Sequence, residues 1–328
     1  MSIYYFSEQI GDNKTAGSKA RIDAEKILKK RDMIPLFPYS YIGNNHLKKI
    51  YKILSVLGKV REQDYILIQY PLPVGFNPLL KVIEKRKKVI LLVHDIATLR
   101  YDGNVKKEIK RIKSAKYIIS HNTKMTDFFI KQGIAEEKII NLEIFDYLID
   151  IDSINDHIND REEICFAGNL EKSKFIYKLD SVFKQIKVNL YGIGFNKNKK
   201  YTSLNYNGAY PSSIIHCRLK GKYGLVWDGP STKTCEGYFG KYLSINNPHK
   251  VSMYIVAKLP IIIWKNAAMA DLVKKYKIGI TISNLNELEN KLRNITPDDY
   301  TQMVNNELKL RKKIIKGYFL NKALDKIQ

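Results

Sequence analysis

The sequence predicts an α/β protein made of two successive doubly wound domains. Three observations carry that expectation. Short apolar strands alternate with segments of helical period, as in repeated βαβ units. The strands are continuous apolar runs, which suits a parallel sheet covered on both faces. The alternation stops once, near the middle of the chain, and then restarts. At 328 residues the chain is long enough for two domains with a core each.

In chain order, "IYYFS" (3–7) reads as a strand and "GSKARIDAEKILKK" (17–30) as a helix. "YILIQYPL" (65–72) is the next strand, followed by a Pro-opened segment, "NPLLKVIEKRKK" (77–88). "VILLVHDI" (89–96) is the clearest buried strand of this half. A helix near 104–114 leads to the strand "YIISH" (117–121), and a helix near 122–132 leads to "KIINLEIF" (138–145). The stretch "LIDIDSINDHINDREE" (148–163) is acidic and has neither period, so it is the expected linker.

Alternation resumes with "ICFAGN" (164–169), a helix from about residue 172, "VNLYGIG" (188–194) and "YGLVWDG" (223–229). A helix opens in "NNPHKVSMYIVAK", followed by the strands "IIIW" (261–264) and "IGITIS" (278–283). The final helices begin at "TPDDY", where Thr296 caps and Pro297 takes the first helical position. The expected division is 1–150, 151–300, and a C-terminal helical segment, 301–328, packing back toward the N-terminal domain.

Composition limits the function. No uninterrupted apolar run of about 18 residues exists to span a bilayer, and the N-terminus lacks the pattern of a signal peptide. Cys165, Cys217 and Cys235 form no CxxC pair, which excludes a disulfide framework and a zinc ribbon and suits a reducing cytoplasm. The formal charge of +23 attracts polyanions. A solvated lysine-rich surface and a basic nucleic-acid-binding protein both fit it, but RNP, KH and helix-turn-helix signatures are lacking. The cluster "KLRKKIIKGYFLNK" (309–322) suits either a weak peripheral association with the inner membrane face or an ordinary amphipathic terminal helix.

Open α/β sheets bind ligands beyond the carboxyl ends of their strands, so polar residues just after strands are the site candidates. In "NNPHKVSMY", Asn246 and Asn247 can cap a helix in which His249 and Lys250 occupy the first turn. Cations there oppose the helix dipole unless an anion occupies the terminus; Ser252 adds a hydroxyl. The alternative is a capped helix whose basic residues face water. "CFAGNLEKSK" (165–174) repeats the design, with Gly168 at the turn and Asn169, Lys172 and Ser173 after it.

"VHDIATLRY" ends its strand with His94 and Asp95, either a general base for an acceptor hydroxyl or a turn cap. "GDNKTAGSK" (11–19) is a Gly- and hydroxyl-rich loop without Walker spacing, and Tyr210 is placed to stack on a base. Trp227 and Asp228 follow another strand, where they could meet a sugar hydroxyl. "YGIGF" (191–195) is a fragment of a dinucleotide fingerprint and is discounted. Asp150 and Asp152 spell Asp-x-Asp but fall in the linker, so no metal site is expected.

"FAGNLEKSKF", "YNGAYP", "GLVWDG" and "NNPHKVSMYIVAKLPIIIW", with "VHDIATLRYD" before them, together resemble the bacterial glucosyltransferase and galactofuranosyltransferase group. Its best-known members add glucose to N-acetylglucosamine on serine-rich adhesins. The resemblance implies the GT-B fold: two Rossmann-like domains facing a cleft, with C-terminal helices. It implies a UDP-sugar donor, a glycan or glycoprotein acceptor and no metal or other cofactor. Basic side chains and a helix start would then neutralise the departing diphosphate. It places the donor contacts at Thr15, Lys172, Tyr210, Asn247, His249, Lys250 and Ser252. It further implies inversion at the anomeric carbon, for which Asp95 is the expected base, and a homo-oligomer, dimer or tetramer. Glucose transfer leads, and galactofuranose transfer in surface-polysaccharide synthesis is the alternative.

Overall fold

The computed structural model describes residues 1–8, 16–36, 51, 54–55, 58–72, 83–85, 88–101, 103–149 and 163–327. Thr15, Asp150 and Asp152 lie outside the described residues, as does most of the Pro-opened segment.

The N-terminal sheet contains β1 (Ile3–Phe6), β2 (Ile34–Leu36), β3 (Tyr65–Tyr70), β4 (Lys88–Val93), β5 (Tyr117–Ser120) and β6 (Ile139–Asn141). All its pairs are parallel and the order is β2-β1-β3-β4-β5-β6. Every residue of β3 is buried, and so is β4 beyond Lys88, as expected of central strands covered on both faces. The helices are α1 (Ala16–Lys30), α2 (Ala97–Arg100), α3 (Val105–Ile112) and α4 (Thr123–Lys131). Asn104 and Asn122 start the last two, each side chain accepting the third helical N–H at 2.9 Å.

The second sheet is also six-stranded and parallel: β7 (Glu163–Ala167), β8 (Lys187–Tyr191), β9 (Leu204–Tyr206), β10 (Tyr223–Val226), β11 (Ile261–Trp264) and β12 (Gly279–Ile282), in the order β12-β11-β10-β7-β8-β9. With it come α5 (Leu179–Val182), α6 (Gly237–Tyr242), α7 (Lys250–Val256), α8 (Ala270–Tyr276), α9 (Leu288–Arg293) and α10 (Pro297–Ile314); the last helix, α11 (Tyr318–Leu324), belongs almost wholly to the unit of the N-terminal sheet. Thr296 does cap α10: it accepts from the Asp299 N–H at 3.1 Å, and the Asp299 carboxylate accepts the Thr296 N–H at 3.2 Å.

Three details differ from the sequence reading. The edge strands β2 and β9 span three residues each, too short for a period to register. The helix expected from residue 172 is instead a 3₁₀ turn, Lys174–Lys178, running into α5. In this tight turn Phe175 is buried and meets Phe166 edge-on at 5.2 Å. The helix after "NNPHK" begins at Lys250, with His249 as its cap.

The chain forms two compact units: Met1–Gly11, Ala20–Glu143 and Phe319–Gln328 in one, Asp12–Lys19 and Ile144–Tyr318 in the other. In unit 1, Arg31 pairs with Asp325 at 2.7 Å, and Lys322 pairs with Glu143.

Candidate functional site

In unit 2 the strand order reverses between β7 and β10, the switch point at which an open α/β sheet leaves a crevice. The segments that follow these two strands are joined by the Phe175 N–H, which donates to Gly229 O at 3.3 Å. Gly168 leaves β7; after it, Asn169 accepts the Lys172 N–H at 3.0 Å and shapes the turn. A methyl group on Gly168 would stand 3.4 Å from the Lys250 ammonium, which itself lies 4.2 Å from the centre of the Phe166 ring. The first cation of α7 therefore reaches across the end of β7. Burial raises the Cys165 and Cys235 thiols, Cys235 to about 12, and the positive charge of Lys250 opposes both shifts.

The turn after β8 locks against the one after β7. Gly192, at φ 135°, has no room for a side chain: a Cβ would come 1.8 Å from the Gly168 carbonyl oxygen. Backbone bonds Gly168 N–H to Tyr191 O (3.0 Å) and Leu170 N–H to Ile193 O (2.9 Å) extend the pairing past the strands. The "YGIGF" stretch, discounted as a dinucleotide fingerprint, is thus the packing partner of the "FAGN" turn. Gly192 N–H also bonds to Gly208 O at 2.9 Å, drawing in the loop that carries Tyr210. The Tyr210 ring is half-buried, 6.4 Å from Tyr191, with the Arg218 guanidinium 5.9 Å from its centre.

The remaining candidates of unit 2 divide by exposure. Lys172 is exposed, its ammonium 5.4 Å from the Phe239 ring. Ser173 and Asn247 are buried. Ser252 is fully buried and donates to the Phe145 carbonyl at 2.6 Å. His249 contacts the Asp146 carbonyl at 3.2 Å, and burial, helped by the charge of Lys19, pushes its pKa down to about 4. It is neutral at pH 7, so Lys250 is the cation at the start of α7 and His249 is not. Trp227 donates to Ser231 O at 2.8 Å, and Asp228, half-buried, accepts the Gly229 N–H at 2.8 Å.

Sequence reasoning missed Tyr254. This fully buried tyrosine of α7 accepts the Ala167 N–H at 2.9 Å and donates to Leu225 O at 3.3 Å, pinning the helix to β7 and β10. Gly224 leaves it room, because a Cβ there would sit 2.4 Å from the Tyr254 ring. The pairing of a strand glycine with a distant aromatic has no local sequence signal.

In unit 1, His94 and Asp95 leave β4 as expected. Asp95 is bound through Oδ2 to Arg100 at 2.8 Å; its Oδ1 is buried and accepts no hydrogen bond among the described residues. His94 Nε2 lies 2.7 Å from Gln69 Oε1. The Gln69 amide nitrogen donates to Arg21 O at 3.3 Å, and Arg21 in turn holds the Pro71 carbonyl at 2.8 Å and the Glu8 carboxylate. Burial raises the Glu8 pKa against the opposing charge of Arg21. Behind Asp95, buried His121 is pushed down to about 4 by desolvation, against the pull of the Asp95 charge. The carboxyl ends of β1, β3, β4 and β5 thus carry one polar row, of which the sequence reading found only the β4 members.

Residues 164–327 match the family described as "Glucosyltransferase 3-like, C-terminal domain", and residues 3–144 match "Glucosyltransferase 3-like, N-terminal domain". The chain belongs to the glucosyltransferase 3-like family. It is a glycosyltransferase drawing on a nucleotide sugar. Among the relatives of this glucosyltransferase 3-like protein is the β-1,6-galactofuranosyltransferase WbbI of Escherichia coli K12. The two are 30% identical, over 99% of this chain and 98% of WbbI. Glucosyltransferase 3 of Streptococcus parasanguinis is 22% identical, over 82% of this chain and 80% of its own. The fold is GT-B. The lipopolysaccharide outer core galactosyltransferase WaaB superimposes with a TM-score of 0.63 at 10% identity, covering 100% and 99% of the two chains. A UDP-forming trehalose-phosphate synthase of Burkholderia vietnamiensis gives 0.62 at 9% identity, covering 99% and 98%.

Proposed function

We propose that the protein moves a hexose from a UDP-sugar to a sugar hydroxyl of a glycan or glycoprotein, with inversion and without a metal. The observation that carries this is the Lys250 ammonium lying across the end of β7 beside Gly168, at the switch point of unit 2. A fixed cation aimed at a leaving diphosphate does the work for which other transferases use a divalent ion. Lys172 supplies a second, more exposed charge, and Tyr210 with Arg218 beside it offers a stacking face for the uracil. In unit 1, Asp95 takes the proton of the acceptor hydroxyl, with Arg100 orienting the carboxylate and Gln69 fixing His94 next to it.

UDP-glucose is the donor suggested by the sequence motifs. Nearly end-to-end similarity to WbbI favours UDP-galactofuranose, with a surface-polysaccharide acceptor instead of a glycosylated adhesin. Among the described residues no cluster of three metal-ligating side chains occurs and no helix is long and apolar enough to cross a membrane. The reading includes a cytoplasmic location, self-association, and attraction of the +23 surface to an anionic membrane face.

The test is turnover with each donor side by side, with and without chelator. The expected outcome is activity with one of them, unchanged by chelation. Lys250→Ala should lower kcat about 10²–10³-fold, and Asp95→Asn about 10²–10⁴-fold. Full turnover in both variants would place the chemistry elsewhere.

A further inference from the structure

Donor-side candidates of unit 2 lie on separate stretches of chain, and one side chain that no sequence feature marked joins them. Tyr147, 1% exposed, belongs to the segment Ile144–Leu148. Its hydroxyl donates to the Ser212 carbonyl at 2.6 Å, two residues beyond Tyr210. Its ring stacks on His249, immediately before Lys250, with centroids 5.1 Å apart and planes 24° apart. The Lys19 ammonium lies 4.7 Å from the ring centre and donates to the Leu148 carbonyl at 2.6 Å. His216, from the same loop as Tyr210, meets the ring edge-on at 5.7 Å.

The neighbours of Tyr147 are fastened to α7 as well, through Ser252 to Phe145 O and His249 to Asp146 O. A buried tyrosine needs a partner for its hydroxyl, and any core carbonyl would serve. Here the carbonyl belongs to the loop that carries the uracil platform, while the ring packs on the residue preceding the diphosphate lysine. The geometry therefore does more than fill the core.

Resting on the reading of unit 2 as the donor site, we infer that Tyr147 is a positioning residue. It sets the spacing between the Tyr210 loop and the start of α7, and so between the nucleoside and diphosphate ends of the ligand. A two-ended ligand gains from such a preset spacing because less order has to be imposed on binding. A ligand that needs only one end gains nothing.

Tyr147→Phe keeps the ring and removes the link to Ser212; His216→Ala loosens the same link from the loop side. Both should raise the dissociation constant for UDP about three- to tenfold, leaving that for inorganic pyrophosphate unchanged. A merely structural lesion would weaken the two together. The inference is overturned if both variants bind UDP as the parent does, or if UDP and pyrophosphate weaken equally; should Tyr147→Phe fail to fold, His216→Ala decides. A parent that binds no UDP defeats the donor reading instead. Hydrogen exchange then still tests the link: residues 210–218 should exchange faster in the variant while β10 and β11 do not, and unchanged exchange there overturns it.

Discussion

Gly192 illustrates how much of the donor corner depends on single residues. Its φ of 135° and the 1.8 Å approach of the Gly168 carbonyl to a would-be Cβ allow no substituent. Gly192→Ala should cost on the order of 3 kcal/mol and abolish UDP binding. Gly58→Ala, with nothing within 4 Å of its Cβ, should change neither. Thermal melts and UDP titration of the two variants check this, and a fully stable, UDP-binding Gly192→Ala would refute it. Residue identity at such points was partly legible. Gly168, Lys172 and Tyr210 stand out because they follow strands, and Lys250 because it is a cation in the first turn of a helix. Ser252 and His249 stand out with Lys250, yet their polar atoms are spent on the carbonyls of Phe145 and Asp146. Position along the chain gives the strand end or the helix start; it does not give the direction of the side chain.

At the scale of elements, α7 acts as a lever seated by Tyr254. The seven-residue helix is buried along its length beyond Lys250, so Lys250 is aimed by how the helix packs. Tyr254→Phe leaves the Ala167 N–H without its acceptor in a dry site and should cost about 1–3 kcal/mol in urea unfolding. A loss below a few tenths would mean that the hydroxyl carries no weight. Strands β3, β4 and β11 and helices α3, α4 and α10 were legible because each has either a long apolar run or a side-chain cap. The three-residue strands β2 and β9 and the 3₁₀ turn after β7 were not. They are made by pairing and by the burial of Phe175, which no local period encodes.

For the whole molecule, stability should depend on pH through buried groups of opposite sign. His121 and His249 have pKa values near 4 in the folded state against an ordinary 6.5. Between those values the unfolded chain binds more protons, so both contributions are lost as pH falls from 6.5 toward 4. Glu307, fully buried on α10 with neither oxygen hydrogen-bonded among the described residues, is raised well above 4.5 by desolvation. Its contribution is complete below 4.5 and is lost as pH rises, by up to about 1.4 kcal/mol per pH unit. Glu307→Gln should therefore melt higher than the parent at pH 7–8, with the advantage fading toward pH 4.5; an advantage independent of pH would show that the acid is not held neutral. By itself the sequence determined two parallel α/β sheets, the strand ends that carry polar residues, and a basic first turn on one helix, because apolar period and capping act over a few residues. Only the tertiary structure decided that Lys250 lies over Gly168, that His249 is neutral, and that Tyr147 joins the Tyr210 loop to α7. Burial, and the approach of segments far apart in the chain, set those features, and neither is a property of any short stretch.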